Sequence, residues 1–344
     1  MVVKQKTINF IVIGGGRMGK THIRAGLECG LNLVGVCDVR EEALKEIQNT
    51  FFLEKDSTFT KYTDLLEKNN FDLAIVATTA PSHFEIVMAL SKTRTRYILC
   101  EKPLATSLGK ALQMVSACKK YEKILAVNHQ MRFMEKFQIV KNYQTSNGFG
   151  NLRSILISGA NIGLAMNATH YFEAFRYLTD SNISKVWAWL DEESRPNPRG
   201  PEFFDQSGQI LAINDSGQRI FIDIGADLGH QIICTYNFEF GKITVNELNG
   251  IATLNSKAHP IESTSTEMYG QKDIQQIVSL KPSENLAPTV ALINALIAGK
   301  NYPSGEDGIH AITVALAAIE SNSNNHKLVE TSEIQNTKTE QKWA

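Results

Sequence analysis

The chain has 344 residues, 43% of them hydrophobic, with 35 basic and 36 acidic side chains and a formal net charge of −1. That length fits two domains, and the balanced charge argues against an electrostatic surface for nucleic acid or membrane phosphates. Five scattered cysteines (Cys29, Cys37, Cys100, Cys118, Cys234) lack any C-x-x-C spacing and fit small buried residues of a reducing compartment. No apolar run reaches the length of a membrane span. Met1 to Asn9 is too short and polar for a secretory leader, so a cytoplasmic protein is expected.

The first elements carry the strongest signal. Phe10 to Ile13 reads as a strand, and Gly14, Gly16 and Gly19 follow in G-x-G-x-x-G spacing before a helix from about Met18 to Glu28. In that setting the first glycine allows a tight turn, the second lets backbone approach a pyrophosphate, and the third lets helix pack on strand. The helix start, with Arg17 and Met18, offers free N–H groups and a partial positive charge. Leu33 to Cys37 is the second strand, and Asp38 at its end is placed to accept hydrogen bonds from an adenosine ribose. This pairing predicts a bound dinucleotide. Asp38 favours NAD because it repels a 2′-phosphate, while Arg40 offsets that repulsion and leaves NADP open.

Helix and strand patterns then alternate. Glu41 to Phe52 is helical, Leu73 to Ala77 a buried strand, Pro81 to Leu90 a helix, and Tyr97 to Cys100 a strand. A helix stripe over Leu108 to Cys118 and a strand over Ile124 to Val127 complete an α/β doubly wound parallel sheet, residues 1–127. Ligands of such sheets sit at the carboxyl ends of the strands. Thr78, Thr79, Pro81, Glu101, Lys102, Pro103 and Asn128 all fall there, with His83 and His129 nearby.

Residues 128–330 change texture. Leu152–Gly159, Lys185–Leu190, Gly208–Asn214, Arg219–Gly225, Gln231–Phe240 and Lys242–Leu248 read as strands separated by turns such as Asn214–Gly217. Strands without intervening helices predict an α+β domain with a large, mostly antiparallel sheet. A helix over Asn167 to Leu178 interrupts it. Late helices near Thr289–Ile297 and Gly308–Ser321 could return to either domain, and 331–344 is a polar tail expected to fray. The loop Arg195–Pro201 reads as a stiff surface connection. Trp187 and Trp189 alternate on one strand, a pattern of sheet packing more often than of sugar stacking.

Glu101-Lys102-Pro103-Leu104-Ala105, together with the N-terminal glycines, closely resembles the Gfo/Idh/MocA family of glucose-fructose oxidoreductases and inositol dehydrogenases. Thr79–His83, Asn128 with Arg132-Phe133, Gly148–Leu152, Thr169–Glu173 and Gly305–Gly308 extend the likeness over nearly the whole chain. The resemblance implies a Rossmann domain, a second domain with an open-faced sheet, a nicotinamide dinucleotide, and a sugar, cyclitol or nucleotide-linked sugar as substrate. It also implies oligomers, homodimer or homotetramer, through the open sheet. The family's proline at Pro103 is often cis.

The chemistry is sensible from the residues. A lysine before proline at a sheet crevice can bind a substrate hydroxyl and lower its pKa. An imidazole such as His170 can take the hydroxyl proton as hydride leaves the carbinol carbon. Asn128 and Arg132 are expected to border cofactor or substrate, and His129, Met166 and Asn167 to face substrate. The family commonly has aspartate four residues before this histidine; here that position is Met166, with Asn167 the nearest polar residue. Glycine two before the histidine is replaced by Ala168. These departures keep a second reading open, a dinucleotide-sensing protein without turnover. The histidines show no metal-ligand spacing, and no metal is expected.

Overall fold

The computed structural model describes residues 7–68, 70–146, 149–160, 162–192, 197, 199–225, 227–256, 274–281, 284–335 and 339–344. Two compact units emerge, one of Met1–Gln130, Glu284–Ile312 and Asn336–Ala344, the other of Met131–Ser283 and Thr313–Gln335. Gly148 and, in the Arg195–Pro201 loop, Arg195, Pro196 and Pro198 lie outside the described residues.

The first unit alternates β1 (Asn9–Ile13), α1 (Arg17–Glu28), β2 (Asn32–Cys37), α2 (Glu41–Phe51), β3 (Thr58–Phe59), α3 (Tyr62–Glu67), β4 (Leu73–Val76), α4 (Ala80–Leu90), β5 (Tyr97–Cys100), α5 (Leu108–Lys120) and β6 (Ile124–Val127). Its strands lie in the order β3-β2-β1-β4-β5-β6, and every pairing is parallel. Continuous apolar runs make such strands because helices cover both faces; all four residues of β4 are fully buried. The register sets where the strands end. Ile13 pairs with Cys37 and Val76, Val76 with Cys100, and Cys100 with Val127. Five strands therefore end on one line, and the loops beyond them share one rim.

The second unit begins with α6 (Glu135–Ser146) and β7 (Leu152–Ala160), then a π-turn over Leu164–Ala168 that leads into α7 (Thr169–Thr179). Strands β8 (Ile183–Leu190), β9 (Gly208–Asn214), β10 (Arg219–Gly225), β11 (Ile233–Phe238), β12 (Gly241–Asn246), β13 (Ile251–Ser256) and β14 (Ile274–Ser279) follow. With β15 (Val329–Glu330) they form one sheet, β14-β13-β12-β11-β7-β10-β9-β8-β15. Only the central β7–β10 pair is parallel. Alternation is clean in β10, where Ile220, Ile222 and Ile224 are buried while Arg219, Phe221 and Asp223 face out. Phe137 of α6 meets Tyr236 of β11 edge to face, ring centres 6.4 Å apart.

After β14 come α8 (Leu286–Ala298), which lies against α1, and α9 (Gly305–Ser323). Residues up to Ile312 belong with the first unit and those from Thr313 with the second. Ser304 and Asp307 cap α9 reciprocally, each backbone N–H donating to the other's side chain. Gly308 rests on Val127, so close that a Cβ would stand 2.6 Å from its Cγ2. The Gly305–Gly308 turn is thus a packing device.

Several elements differ from the sequence expectation. β3 has two residues and α3 six, too short to leave a periodic signature, and β13, β14, β15 and α6 add to the expected set. The tail does not fray where it is described. Gln341 N donates to Thr106 O at 2.8 Å, Lys110 pairs with Glu340 at 2.5 Å, and Trp343 is buried, so an apolar anchor overrides the polar composition.

Candidate functional site

In the first unit the rim is built from the glycine turn outward. Gly14 has φ +106°, and a Cβ there would lie 2.5 Å from the Ala77 carbonyl carbon. Its N–H donates to Cys37 O at 2.7 Å, tying β1 to the end of β2. A Cβ on Gly19 would overlap the Gly14 carbonyl oxygen; only glycine lets α1 come this close. Gly16, the N-cap of α1, has no protein atom within 4 Å of where its Cβ would be. The first N–H groups of a helix have no intrahelical partner. Here they open onto that free space, beside exposed Arg17 and half-buried Met18. The arrangement fits a dinucleotide pyrophosphate.

Asp38 is held from two sides. Its Oδ2 accepts from Gly15 N at 2.7 Å and its Oδ1 from Arg40 N at 2.9 Å. The Arg40 guanidinium adds Nε at 3.1 Å to Oδ1 and Nη2 at 3.2 Å to Oδ2. Burial works against the charge, but the Arg40 side chain and these two backbone N–H groups prevail and hold the carboxyl below its usual range. Asp38 is buried, while the Arg40 side chain is 61% exposed.

Beyond β4, Thr78 accepts from Ser82 Oγ at 2.8 Å, and Thr79 and Pro81 are exposed at the start of α4. His83, expected near this crevice, is wholly buried. Its Nδ1 lies 3.1 Å from Pro103 O and its Nε2 3.1 Å from Thr78 O. Burial lowers its pKa despite those carbonyls. Both ring nitrogens are engaged by protein, so His83 braces two rim loops.

Beyond β5, the Lys102–Pro103 bond is cis. Glu101 and Lys102 are buried, and Glu101 Oε1 receives Asn128 Nδ2 at 2.9 Å and lies 2.8 Å from His22 Nε2. Burial works to raise the Glu101 carboxyl, yet the bond and charge of His22, the charge of Lys102 and the Asn128 amide bring it down to about 2. Asn128 N also donates to Cys100 O at 2.7 Å, and His129 beside it is buried. Gly14, Asp38, Thr78, Glu101, Lys102 and Asn128 all stand on this one rim. Sequence reasoning missed His22, whose signal was available: a polar residue three positions after Gly19 on the inner face of α1.

In the second unit, His170 lies in the first turn of α7 and is buried. The π-turn before it is fixed by Asp205, whose carboxylate accepts from Ala165 N at 2.7 Å and Met166 N at 2.8 Å. π-turns within helices often accompany functional sites. Met166 and Asn167 are half-buried on that turn. Arg132, expected to border a ligand, forms a buried ion pair with Glu173 and stacks 4.7 Å from the Tyr177 ring centre. Its charge supports α7 from within. Glu247 anchors the next face of α7, accepting from Lys136 Nζ at 2.5 Å and Tyr171 OH at 3.1 Å, with Cys234 Sγ at 3.2 Å. Burial, reinforced by the Glu247 charge, pushes the Tyr171 hydroxyl and Cys234 thiol well above their ordinary values. Asp205 and Glu247 left no trace in the sequence pattern.

Among the described residues no cluster of three His, Cys, Asp or Glu side chains could hold a metal, and no helix is long and apolar enough to cross a membrane.

Residues 8–129 match the family described as "Oxidoreductase family, NAD-binding Rossmann fold", Gfo/Idh/MocA. Myo-inositol 2-dehydrogenase of Thermotoga maritima is 28% identical over 203 residues, 53% of this chain and 59% of that enzyme. Inositol 2-dehydrogenase 1 of Paenarthrobacter aurescens is 26% identical over 269 residues, 71% of this chain and 75% of that one. Over residues 8–129 the chain is therefore similar to the NAD-binding domain of the Gfo/Idh/MocA oxidoreductases. Its fold is also that of levoglucosan dehydrogenase solved with NADH and levoglucosan, with TM-score 0.81, 18% identity, and coverage of 95% of this chain and 100% of that one. As in the family's name, the first unit is an NAD-binding Rossmann domain, and its open space at Gly16 and carboxylate at Asp38 suit that cofactor.

Proposed function

We propose that the protein is an NAD-dependent dehydrogenase of a sugar or cyclitol, free or nucleotide-linked, oxidising a secondary hydroxyl or reducing the matching ketone. The observation that carries this reading is Lys102, buried at the end of β5 on the same rim as Gly14 and Asp38. The named relatives, inositol and levoglucosan dehydrogenases, act on polyols of this kind.

The dinucleotide, when bound, supplies the two-electron acceptor or donor. Every other task falls to the chain. Gly14, Gly16, Gly19 and the first turn of α1, with Arg17 and Met18, hold the pyrophosphate, and Asp38 takes the adenosine ribose. Thr78, Thr79 and Pro81 border the cofactor. Lys102 binds the reacting oxygen and steadies negative charge on it. His170 accepts the hydroxyl proton during oxidation and returns it during reduction. Met166 and Asn167 shape the substrate pocket without charge, and His129 contacts substrate. His83, Asn128, Arg132 and Glu173 act by bracing.

Asp38 makes NAD the preferred dinucleotide, because a 2′-phosphate beside its carboxylate is repelled. The exposed Trp189, Phe221 and Leu156 of the open sheet face form the contact of a homodimer or homotetramer. Free cysteines fit a cytoplasmic setting.

A panel of cyclitols, free sugars and nucleotide-linked sugars, followed by NADH absorbance, tests the reading. We expect turnover of at least one class, and at least ~100-fold lower kcat in Lys102→Ala and in His170→Ala, with dinucleotide affinity little changed. Near-normal turnover in either variant removes that residue from the mechanism. Tight NADH binding without turnover of any polyol gives the sensing role instead.

A further inference from the structure

His22 is completely buried on α1, three residues beyond Gly19. Its ring makes one polar contact, Nε2 to Glu101 Oε1 at 2.8 Å; Nδ1 has no partner among the described residues. Burying an imidazole for a single bond is costly, so that bond is what the residue is kept for. The same Glu101 oxygen also receives the Asn128 amide. The helix that opens onto the pyrophosphate space at Gly16 therefore also grips the residue before Lys102. Six residues of helix separate the two places, about 9 Å of a rigid rod.

We infer that His22 is a positioning residue for Lys102: with Asn128 it pins the Glu101 carboxylate, which fixes the neighbouring ammonium in place and keeps it charged. This rests on the role given to Lys102 above and extends it to the cofactor-binding helix. Glu101 is faced by His22 from α1, His83 from α4, Asn128 after β6, and Cys100 and Lys102 in its own segment. Among these, His22 provides the strongest pull toward the ionised carboxylate. Without it the carboxylate can turn away, and the lysine loses the charge of the adjacent Glu101.

The test tracks Lys102 directly. In dinucleotide-free protein, acetic anhydride labelling of Lys102 is read by mass spectrometry across pH. In His22→Leu the pH of half-reactivity should fall by about half a unit or more, because an ammonium without its carboxylate gives up its proton more readily. His22→Gln, which keeps an N–H within reach of Glu101, should restore the wild-type profile. On the substrate found by the panel, His22→Leu should lower kcat ~10- to 100-fold through misplacement of the lysine, while NADH affinity stays within ~3-fold. If His22→Leu does not fold, Glu101→Gln keeps the shape without the charge, and its labelling profile should shift the same way. Unchanged profiles in a folded His22→Leu or in Glu101→Gln, or a His22→Gln variant that behaves like leucine, overturn the inference. Labelling requires no turnover. A shifted profile without polyol oxidation keeps the positioning and removes the dehydrogenase; turnover with an unshifted profile does the reverse.

Discussion

In the six-stranded sheet Leu73, Ala74, Ile75 and Val76 are all wholly buried, whereas in the nine-stranded sheet Phe221 and Trp189 stand 39% and 57% exposed. Covering both faces leaves a parallel sheet only its strand ends for chemistry, so polar residues gather on one rim. The antiparallel sheet keeps one open face, and its buried charges lie among the helices of the other side: Lys136 with Glu247, Arg132 with Glu173. In the first unit charge serves the rim; in the second it holds the histidine helix. Binding and architecture are separable in one and merged in the other.

The sharpest way to break this contrast is Gly16→Val. Open space surrounds that position, so the fold should survive while calorimetric titration detects no NADH binding. Loss of the fold instead would show that the rim is architectural after all.

Lys136→Met is the counterpart in the second unit. It leaves Glu247 buried without its ammonium, and urea denaturation should report a loss of about 3–5 kcal/mol, the usual cost of breaking a buried pair from one side. A loss under 1 kcal/mol would mean that the charges there are incidental.

Acid sharpens the comparison further. Glu101 titrates near 2 in the folded protein, below its unfolded value of about 4.3, so its contribution of about 3 kcal/mol is present above pH 4.3 and fades as pH falls toward 2. Stability of Glu101→Gln should therefore fall less steeply than wild type between those pH values. Parallel curves would refute the assignment.

The smallest effect concerns Asp38. Asp38→Ala should weaken NAD by ~10-fold, about 1.4 kcal/mol, and weaken NADP less. Equal losses for the two would separate Asp38 from the ribose.

The first unit was legible because its signals are local. Strand, glycines and helix succeed one another within Phe10–Glu28, and an acidic residue ends the next strand. Lys102 likewise declares itself beside Pro103 at a strand end. What escaped notice depends on distant partners. His22 meets Glu101 across 79 residues, and Asp205 caps Ala165 and Met166 from 40 and 39 residues away. Such pairs leave no periodicity. The protein partners of Arg132 and His83 were also invisible, because sequence shows that a charged or polar side chain is near a crevice and not which protein groups it meets. Strand β14 was missed for another reason: Ile274-Gln275-Gln276-Ile277 does not alternate, as suits an edge with no covered face.

The pairing of Asp38 with Arg40 has an evolutionary consequence. The carboxylate proposed to favour NAD and the guanidinium proposed to offset it sit two positions apart, joined through a side chain that is mostly in solvent. A single base change that turned aspartate 38 into asparagine would release the guanidinium without disturbing any core residue. On the role proposed for Asp38, one charge then sets the preference between NAD and NADP, and a single mutational step exchanges it.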